Sequence, residues 1–291
     1  MIPPAFEYCA PTSVSEAIGL LKQHGSDAKI LSGGMSLIPL LKLRLAAPRF
    51  LVDINRLPGL NYITEADGFL KIGALTREAE VERSELVRTK YPILADTAAV
   101  IGDPLVRNMA TVAGNLAHAD PANDHPATML ALDARVVATG PNGERKIPIA
   151  DFFTGLFTTV LAHDELLTEI QIPVPTAGTS GAYLKLERKV GDFATAAVAV
   201  QLTIGQGDVC ERAGIGLTNA GPIPVKAKKA EDVLRGRKID GETIRQAARL
   251  AAEESDPKSD LRGSSEYKRD LVRVLTARAL HRALERARGG H

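Results

Sequence analysis

Cysteine is nearly absent from this chain: Cys9 and Cys210 are the whole complement in 291 residues. Two thiols set two hundred residues apart can build neither the four-thiolate shell of an ordinary [2Fe–2S] cluster nor a CxxC redox pair. Iron–sulfur chemistry, if the protein takes part in it, must therefore reside on another chain. A surplus of one charge is lacking too. With 36 Lys and Arg against 35 Asp and Glu, a net charge of +1 gives no general attraction to a polyanion, so nucleic acid is not an expected partner. No apolar run reaches the roughly eighteen residues of a membrane span, and Met1-Ile2-Pro3-Pro4 has none of the regions of a signal peptide. A cytoplasmic location is expected.

Familiar catalytic and nucleotide signatures are missing as well. There is no GxSxG elbow, and neither cysteine has a basic neighbour in sequence, so nucleophilic catalysis finds no footing. His118, Asp120, Asp124 and His125 lie close together, but their spacing is neither HExxH nor that of a zinc finger. No GxxxxGK[ST] occurs. The nearest approach to GxGxxG, Gly214-Ile215-Gly216-Leu217-Thr218-Asn219, ends in Asn and reads as a strand and turn. Internal repeats and low-complexity tracts are absent.

What is present is a pair of glycine-bearing turns, Ser32-Gly33-Gly34-Met35-Ser36 and Thr111-Val112-Ala113-Gly114-Asn115. The first lies between Lys29-Ile30-Leu31, a short strand, and the apolar segment from Leu37 to Lys42. Successive backbone N–H groups in such turns can cradle anionic oxygens, and glycine allows positive φ and close approach of a ligand. Two such turns suit a diphosphate better than one phosphate.

The remaining pattern predicts alternating short strands and helices. Ser13 to His24 has helical spacing, and Ala28 to Leu31, Leu51 to Ile54 and Leu70 to Ile72 read as strands. Arg77 to Glu85 is expected as a helix with Thr76 as N-cap, followed by a helix over Leu94 to Ile101. Leu132 to Thr139 and Glu144 to Ile149 form a hairpin about Pro141-Asn142-Gly143. After a strand over Leu166 to Ile172, the turn-rich segment Pro173 to Gly181 reads as a linker. Strands over Ala182–Lys189, Ala194–Ile204 and Cys210–Leu217 follow, with helices over Val225–Val233, Gly241–Glu254 and Tyr267–Arg288. The last helix carries Lys268, Arg269, Arg273, Arg278, Arg282, Arg286 and Arg288 beside an apolar stripe, which reads as a solvated basic face.

Certain segments go beyond generic pattern. Leu31 to Pro39, with Lys42, Arg44-Leu45, Pro48 and Leu51-Val52-Asp53-Ile54, is followed by Arg107 to Asn115 with Asp120-Pro121, Asp124 and Pro126. Tyr183 to Ala196 and Ile215 to Asn219 complete the series. In this order they resemble the FAD-binding medium subunits of the molybdenum hydroxylase, or xanthine dehydrogenase, family, with carbon monoxide dehydrogenase the nearest type. The likeness runs from Ile2 to the last helix. It implies an α+β fold: a two-part FAD-binding domain of the PCMH (vanillyl-alcohol-oxidase-like) type over 1–175, divided at about 57, then a smaller C-terminal α/β domain over 176–291 with an antiparallel sheet and helices.

The resemblance also implies a cofactor site. Ser32, Gly33, Gly34, Met35, Ser36 and Leu37 match the first flavin loop, and Thr111, Val112, Ala113, Gly114 and Asn115 the second. Asp124 falls where the family holds a polar part of FAD, Lys185 near the isoalloxazine ring, and Ile101, Leu167 and Phe193 at flavin-contacting positions. Ala113 stands where the family usually has the first glycine of a pair, and Phe193 where the carbon monoxide enzymes have Tyr. No catalytic residue and no metal ligand are expected on this chain.

By the same resemblance the function is electron transfer. A large subunit carrying the molybdenum cofactor oxidises the substrate, a small subunit carries [2Fe–2S] clusters, and this chain passes electrons through FAD to quinone, NAD or oxygen. A dimer of heterotrimers is implied, in the cytoplasm or at the inner face of the membrane through the complex. Two other classes are a stand-alone FAD oxidoreductase, with its own substrate pocket, and a flavin-free scaffold, which would show no flavin absorbance.

Overall fold

The computed structural model describes residues 2–289. Three parallel strands begin it: β1 (Glu7–Cys9), β2 (Ala28–Leu31) and β3 (Phe50–Asp53), in the order β1-β3-β2. Parallel strands need crossovers. Helix α1 (Val14–His24) and the short α2 (Leu37–Lys42) lie in these connections. Ser13 starts α1 by accepting the N–H of Glu16, and Ala17, Ile18 and Leu21 form its buried stripe. The loop after β2 and the segment after β3 thus emerge at carboxyl ends of parallel strands, where open α/β sheets place ligands.

A five-stranded antiparallel sheet follows, built from β4 (Ile63–Ala66), β5 (Phe69–Gly73), β6 (Arg135–Gly140), β7 (Gly143–Pro148) and, after the small hairpin β8 (Phe153–Gly155) and β9 (Thr158–Thr159), β10 (Leu166–Pro173). Its order is β4-β5-β10-β6-β7. Between β5 and β6 run α3 (Glu78–Arg83), α4 (Glu85–Lys90), α5 (Pro92–Ala99), α6 (Pro104–Arg107), α7 (Val112–His118) and α8 (Asp124–Ala131). The final sheet contains β11 (Thr179–Leu186), β12 (Ala196–Ile204), β13 (Cys210–Thr218) and β14 (Val225–Lys226), all antiparallel. Helices α9 (Lys228–Leu234), α10 (Gly241–Glu253) and α11 (Ser265–Ala287) complete it.

Several local expectations change. Thr76 caps no helix: its hydroxyl donates to the Tyr62 carbonyl, and Arg77 is the N-cap, its N–H held by the Glu80 carboxylate at 2.7 Å. The helix expected over Arg77 to Glu85 is broken at Ser84, which closes α3 and caps α4 through Val87 N–H. Thr111 to Asn115 is the opening of α7 rather than a turn, with Thr111 Oγ1 accepting from Gly114 N–H at 3.1 Å. The linker is shorter than its composition suggests, because β11 already begins at Thr179. Val225 and Lys226 pair with β13, so the helix after them starts only at Lys228.

The glycines of the false nucleotide motif acquire a packing reason. A Cβ on Gly214 would overlap the carbonyl oxygen of Ala131, and one on Gly216 that of Ala127, so β13 lies directly against the backbone of α8. One hydrophobic core accordingly runs from the five-stranded sheet through α5 and α8 to Tyr183, Ala197 and Ala199 of the last sheet. A second lies beneath α10 and α11, and a third beneath α1. The final helix is also less solvated than its charge implies. Lys268 is buried in a 2.7 Å pair with Asp260, and Arg286 forks onto Asp96 of α5 at 2.6 and 3.1 Å.

Candidate functional site

At the end of β2 the chain turns through Ser32 to Ser36 with Gly34 at φ +77°. Among the described residues the N–H groups of Gly33, Gly34, Met35 and Ser36 meet no acceptor within the chain. Four consecutive free donors in a partly buried loop form a cradle for an anion. Gly33 is required for a different reason than ligand approach. Its Cβ would overlap the Met109 carbonyl oxygen and lie 2.8 Å from Ala110 Cα, so the first loop packs on the backbone leading into α7.

The two segments meet directly, with Ser32 Oγ and Thr111 Oγ1 3.1 Å apart. Thr111 also caps α7, so one hydroxyl organises both. Val112 and Ala113 are buried, whereas Gly114 and Asn115 are partly open, and Asn115 Oδ1 is a buried oxygen with no hydrogen-bond partner. The methyl of Ala113 therefore sits in the protein interior. A Cβ on Gly114 would come 2.7 Å from Thr111 Oγ1 and disturb the cap.

Two residues that sequence reading missed hold this arrangement. Asn55 Nδ2 donates to the Ser32 carbonyl at 2.8 Å and to Asp53 Oδ1 at 2.7 Å. Arg77 donates from Nη2 to Asn55 Oδ1 at 2.8 Å and from Nη1 to the Met109 carbonyl. A guanidinium fork thus ties the base of the first loop to the approach to the second. The only local sign was the polar pair Asp53 and Asn55 at the end of an apolar strand.

A second group gathers around Asp124, the first residue of α8. Its buried carboxylate accepts from Tyr183 Oη at 2.6 Å and Lys185 Nζ at 3.1 Å. Burial pushes the Asp124 carboxyl up despite the Lys185 charge, and burial beside Asp124 pushes the Tyr183 phenol up strongly. Lys185 Nζ also donates to the Val100 carbonyl at 3.1 Å and lies 3.3 Å from Glu187 Oε2. Lys185, expected near the isoalloxazine ring, is thus flanked by two carboxylates. Asn123, next to Asp124, donates to the Asn115 carbonyl at 2.8 Å and so joins this group to α7.

The other predicted contacts diverge. Ile101 is buried, and a Cβ on Gly191 would lie 3.5 Å from the carbonyl carbon of Gly102 next to it, so the loop before Phe193 folds against Ile101-Gly102. Phe193 is 46% exposed, leaving ring surface free, with the Arg262 guanidinium 5.6 Å from its centroid. Asp192 anchors that loop through Arg262 at 2.7 Å and Arg188 at 3.0 Å. Leu167 belongs to the buried core at a β-bulge of β10. The acidic and histidine cluster disperses: Asp124 faces Lys185, His125 pairs with buried Glu78 at 2.7 Å, and Asp120 holds Ala122 N–H.

A parallel three-stranded unit with a free N–H cradle, followed by antiparallel sheets and helices that hold it, is the arrangement of a protein that binds an anionic ligand at its first unit. A family model described as "FAD binding domain in molybdopterin dehydrogenase" matches residues 4–175, and one described as "CO dehydrogenase flavoprotein C-terminal domain" matches 181–283. The chain is 44% identical to the carbon monoxide dehydrogenase medium chain of Hydrogenophaga pseudoflava, covering 98% of this chain and 99% of that one. It is 43% identical to the medium chain from Afipia carboxidovorans, over 99% and 100%. A solved carbon monoxide dehydrogenase from Hydrogenophaga pseudoflava superposes with a TM-score of 0.96 over 98% and 99% of the two chains at 45% identity. Quinoline 2-oxidoreductase from Pseudomonas putida 86 gives 0.92 over 99% of each at 34% identity. The chain belongs to the FAD-binding medium subunits of carbon monoxide dehydrogenase and related molybdenum hydroxylases.

Proposed function

We propose that this chain holds FAD between the Ser32–Leu37 loop and the Thr111–Asn115 helix opening, and that it is the electron exit of a molybdenum hydroxylase of the carbon monoxide dehydrogenase type. The observation that carries the reading is the run of four unpartnered N–H groups from Gly33 to Ser36, held against Thr111 by the Ser32 hydroxyl. The diphosphate takes these donors together with the Ser36 and Thr111 hydroxyls. The unpaired Asn115 Oδ1 is an acceptor, so it suits an N–H or hydroxyl donor of the cofactor rather than the phosphates. Lys185 faces the ring that becomes anionic on reduction, and Phe193 packs its exposed ring surface beside it; Ile101 and Leu167 wall the flavin with apolar surface.

FAD supplies, when bound, a store that accepts electrons from iron–sulfur centres and delivers them to an external acceptor. This chain contributes no cluster of its own, because Cys9 packs against the core under α1 while Cys210 is buried in the core under α10 and α11. Burial also pushes the Cys210 thiol up to about 11, which keeps it protonated. The donor is a small [2Fe–2S] subunit, and a large subunit with the molybdenum cofactor oxidises the substrate, in a dimer of heterotrimers in the cytoplasm. In this reading residues 1–175 form the FAD-binding domain and 176–291 the C-terminal domain.

Reconstitution tests it. The isolated chain should release FAD, not FMN, on acid treatment, and should restore acceptor reduction when added to the molybdenum and iron–sulfur subunits. Full substrate oxidation by this chain alone, or undiminished quinone- or NAD-linked turnover by the partners without it, would overturn the reading.

A further inference from the structure

Tyr183 and Lys185 lie on one face of β11, and Glu187 follows immediately after the strand ends at Leu186. The first two reach Asp124, as a buried phenol–carboxylate–ammonium set would require. Glu187 is not needed for that set. Yet its Oε2 is buried 3.3 Å from Lys185 Nζ, and among the described residues it makes no hydrogen bond. Neither a helix cap nor a surface pair explains a carboxylate in this position. Turning its oxygen from solvent toward an ammonium is unfavourable unless that charge needs an opponent.

The ammonium has three protons, and the Val100 carbonyl and Asp124 take two. Glu187 Oε2 lies 3.3 Å from the same nitrogen without accepting a hydrogen bond among the described residues, so it acts on Lys185 by its charge. With all three groups ionised, Asp124, Lys185 and Glu187 sum to one negative charge, and without Glu187 they sum to zero. We propose that Glu187 is a positioning residue for the flavin, offsetting Lys185 so that its positive charge does not over-stabilise the reduced, anionic ring. The consequence suits an electron exit: a lower potential favours onward delivery to the acceptor. The inference rests on the reading in which Lys185 faces the ring.

The test is a redox titration of the flavin in the assembled enzyme, followed in its visible absorbance, for Glu187→Gln, Glu187→Asp and Lys185→Gln. Glu187→Gln should retain FAD and raise the reduced-to-oxidised ratio at a fixed potential about tenfold, an upward shift of about 30 mV for a two-electron couple. Glu187→Asp, which keeps the charge, should stay near the parent, and Lys185→Gln should shift the ratio the other way. A shift for Lys185→Gln with none for Glu187→Gln would overturn the inference and leave the Lys185 reading standing. No shift in either would remove Lys185 from the ring and the inference with it. Loss of FAD from Glu187→Gln, or an equal shift in Glu187→Asp, would assign Glu187 a structural role and overturn the proposal.

Discussion

Ser32 and Thr111, 79 positions apart in sequence, meet hydroxyl to hydroxyl at 3.1 Å. Because Thr111 Oγ1 also accepts the Gly114 N–H, the first loop is registered against the start of α7 through a single side chain. Thr111→Val keeps the shape and removes both bonds. A lost N-cap is worth about 1 kcal/mol, so the expected result is a modestly lower melting temperature with a larger loss of FAD retention, read as flavin stoichiometry after gel filtration.

Gly33→Ala should be more damaging than its single methyl suggests. The added carbon strikes the Met109 carbonyl and the Ala110 backbone, which cannot move as a side chain could. Overpacking of this kind costs about 1–3 kcal/mol. Thermal denaturation of the apoprotein should therefore show the loss even without flavin, distinguishing backbone contact from ligand contact as the reason for glycine.

Arg77→Lys should fail to substitute. Arg77 spans Asn55 and the Met109 carbonyl with separate nitrogens, whereas an ammonium is a single point of charge. Hydrogen bonds to a charged donor are worth about 1.5–3 kcal/mol each. FAD affinity, measured by titrating apoprotein, should fall by about tenfold or more for Arg77→Lys and to a similar extent for Asn55→Ala.

Lys185→Met should lower both stability and flavin potential. Removing one partner of a buried pair leaves Asp124 with Tyr183 alone, a loss of about 3–5 kcal/mol. Adding Asp124→Asn should recover part of the stability because the uncompensated charge is gone, a coupling that a double-mutant cycle in urea would measure.

The Phe193 loop should loosen in acid. Arg262, with Arg188, holds the Asp192 carboxyl below its ordinary value, at about 2. A depressed carboxylate stabilises the fold fully above its unfolded value of 3.8 and loses that contribution as pH falls through the folded one. The melting-temperature difference between parent and Asp192→Asn should be present at neutral pH and close as pH drops from about 4 toward 2.

Much of the local structure was legible because its causes lie within a few residues. Ser13 followed by helical spacing starts α1, Ala28–Leu31 is a strand with the bounds expected, and Pro141-Asn142-Gly143 joins the β6–β7 hairpin. The misreadings came where a nearby signal was overruled. Thr76 resembles an N-cap but is drawn to Tyr62, and Val225-Lys226 continues an apolar helical pattern but is captured by the edge of β13.

Composition alone ruled out a four-thiolate cluster on this chain, since two cysteines cannot become four by folding, and the ordered motifs alone marked the family. Which residues meet was settled only in three dimensions. Arg77 was legible only as the start of a helix and Asn55 not at all, until folding brought them together under the first loop. Gly214 and Gly216 became packing residues because α8 presses its carbonyls against them, and Lys185 lost its isolation because Asp124 and Glu187 converge on it. Backbone propensity acts over one or two turns of chain, whereas burial joins surfaces whose partners lie tens of residues away. The charge and reach of a side chain are written in its residue type, but its counter-charge is chosen by packing.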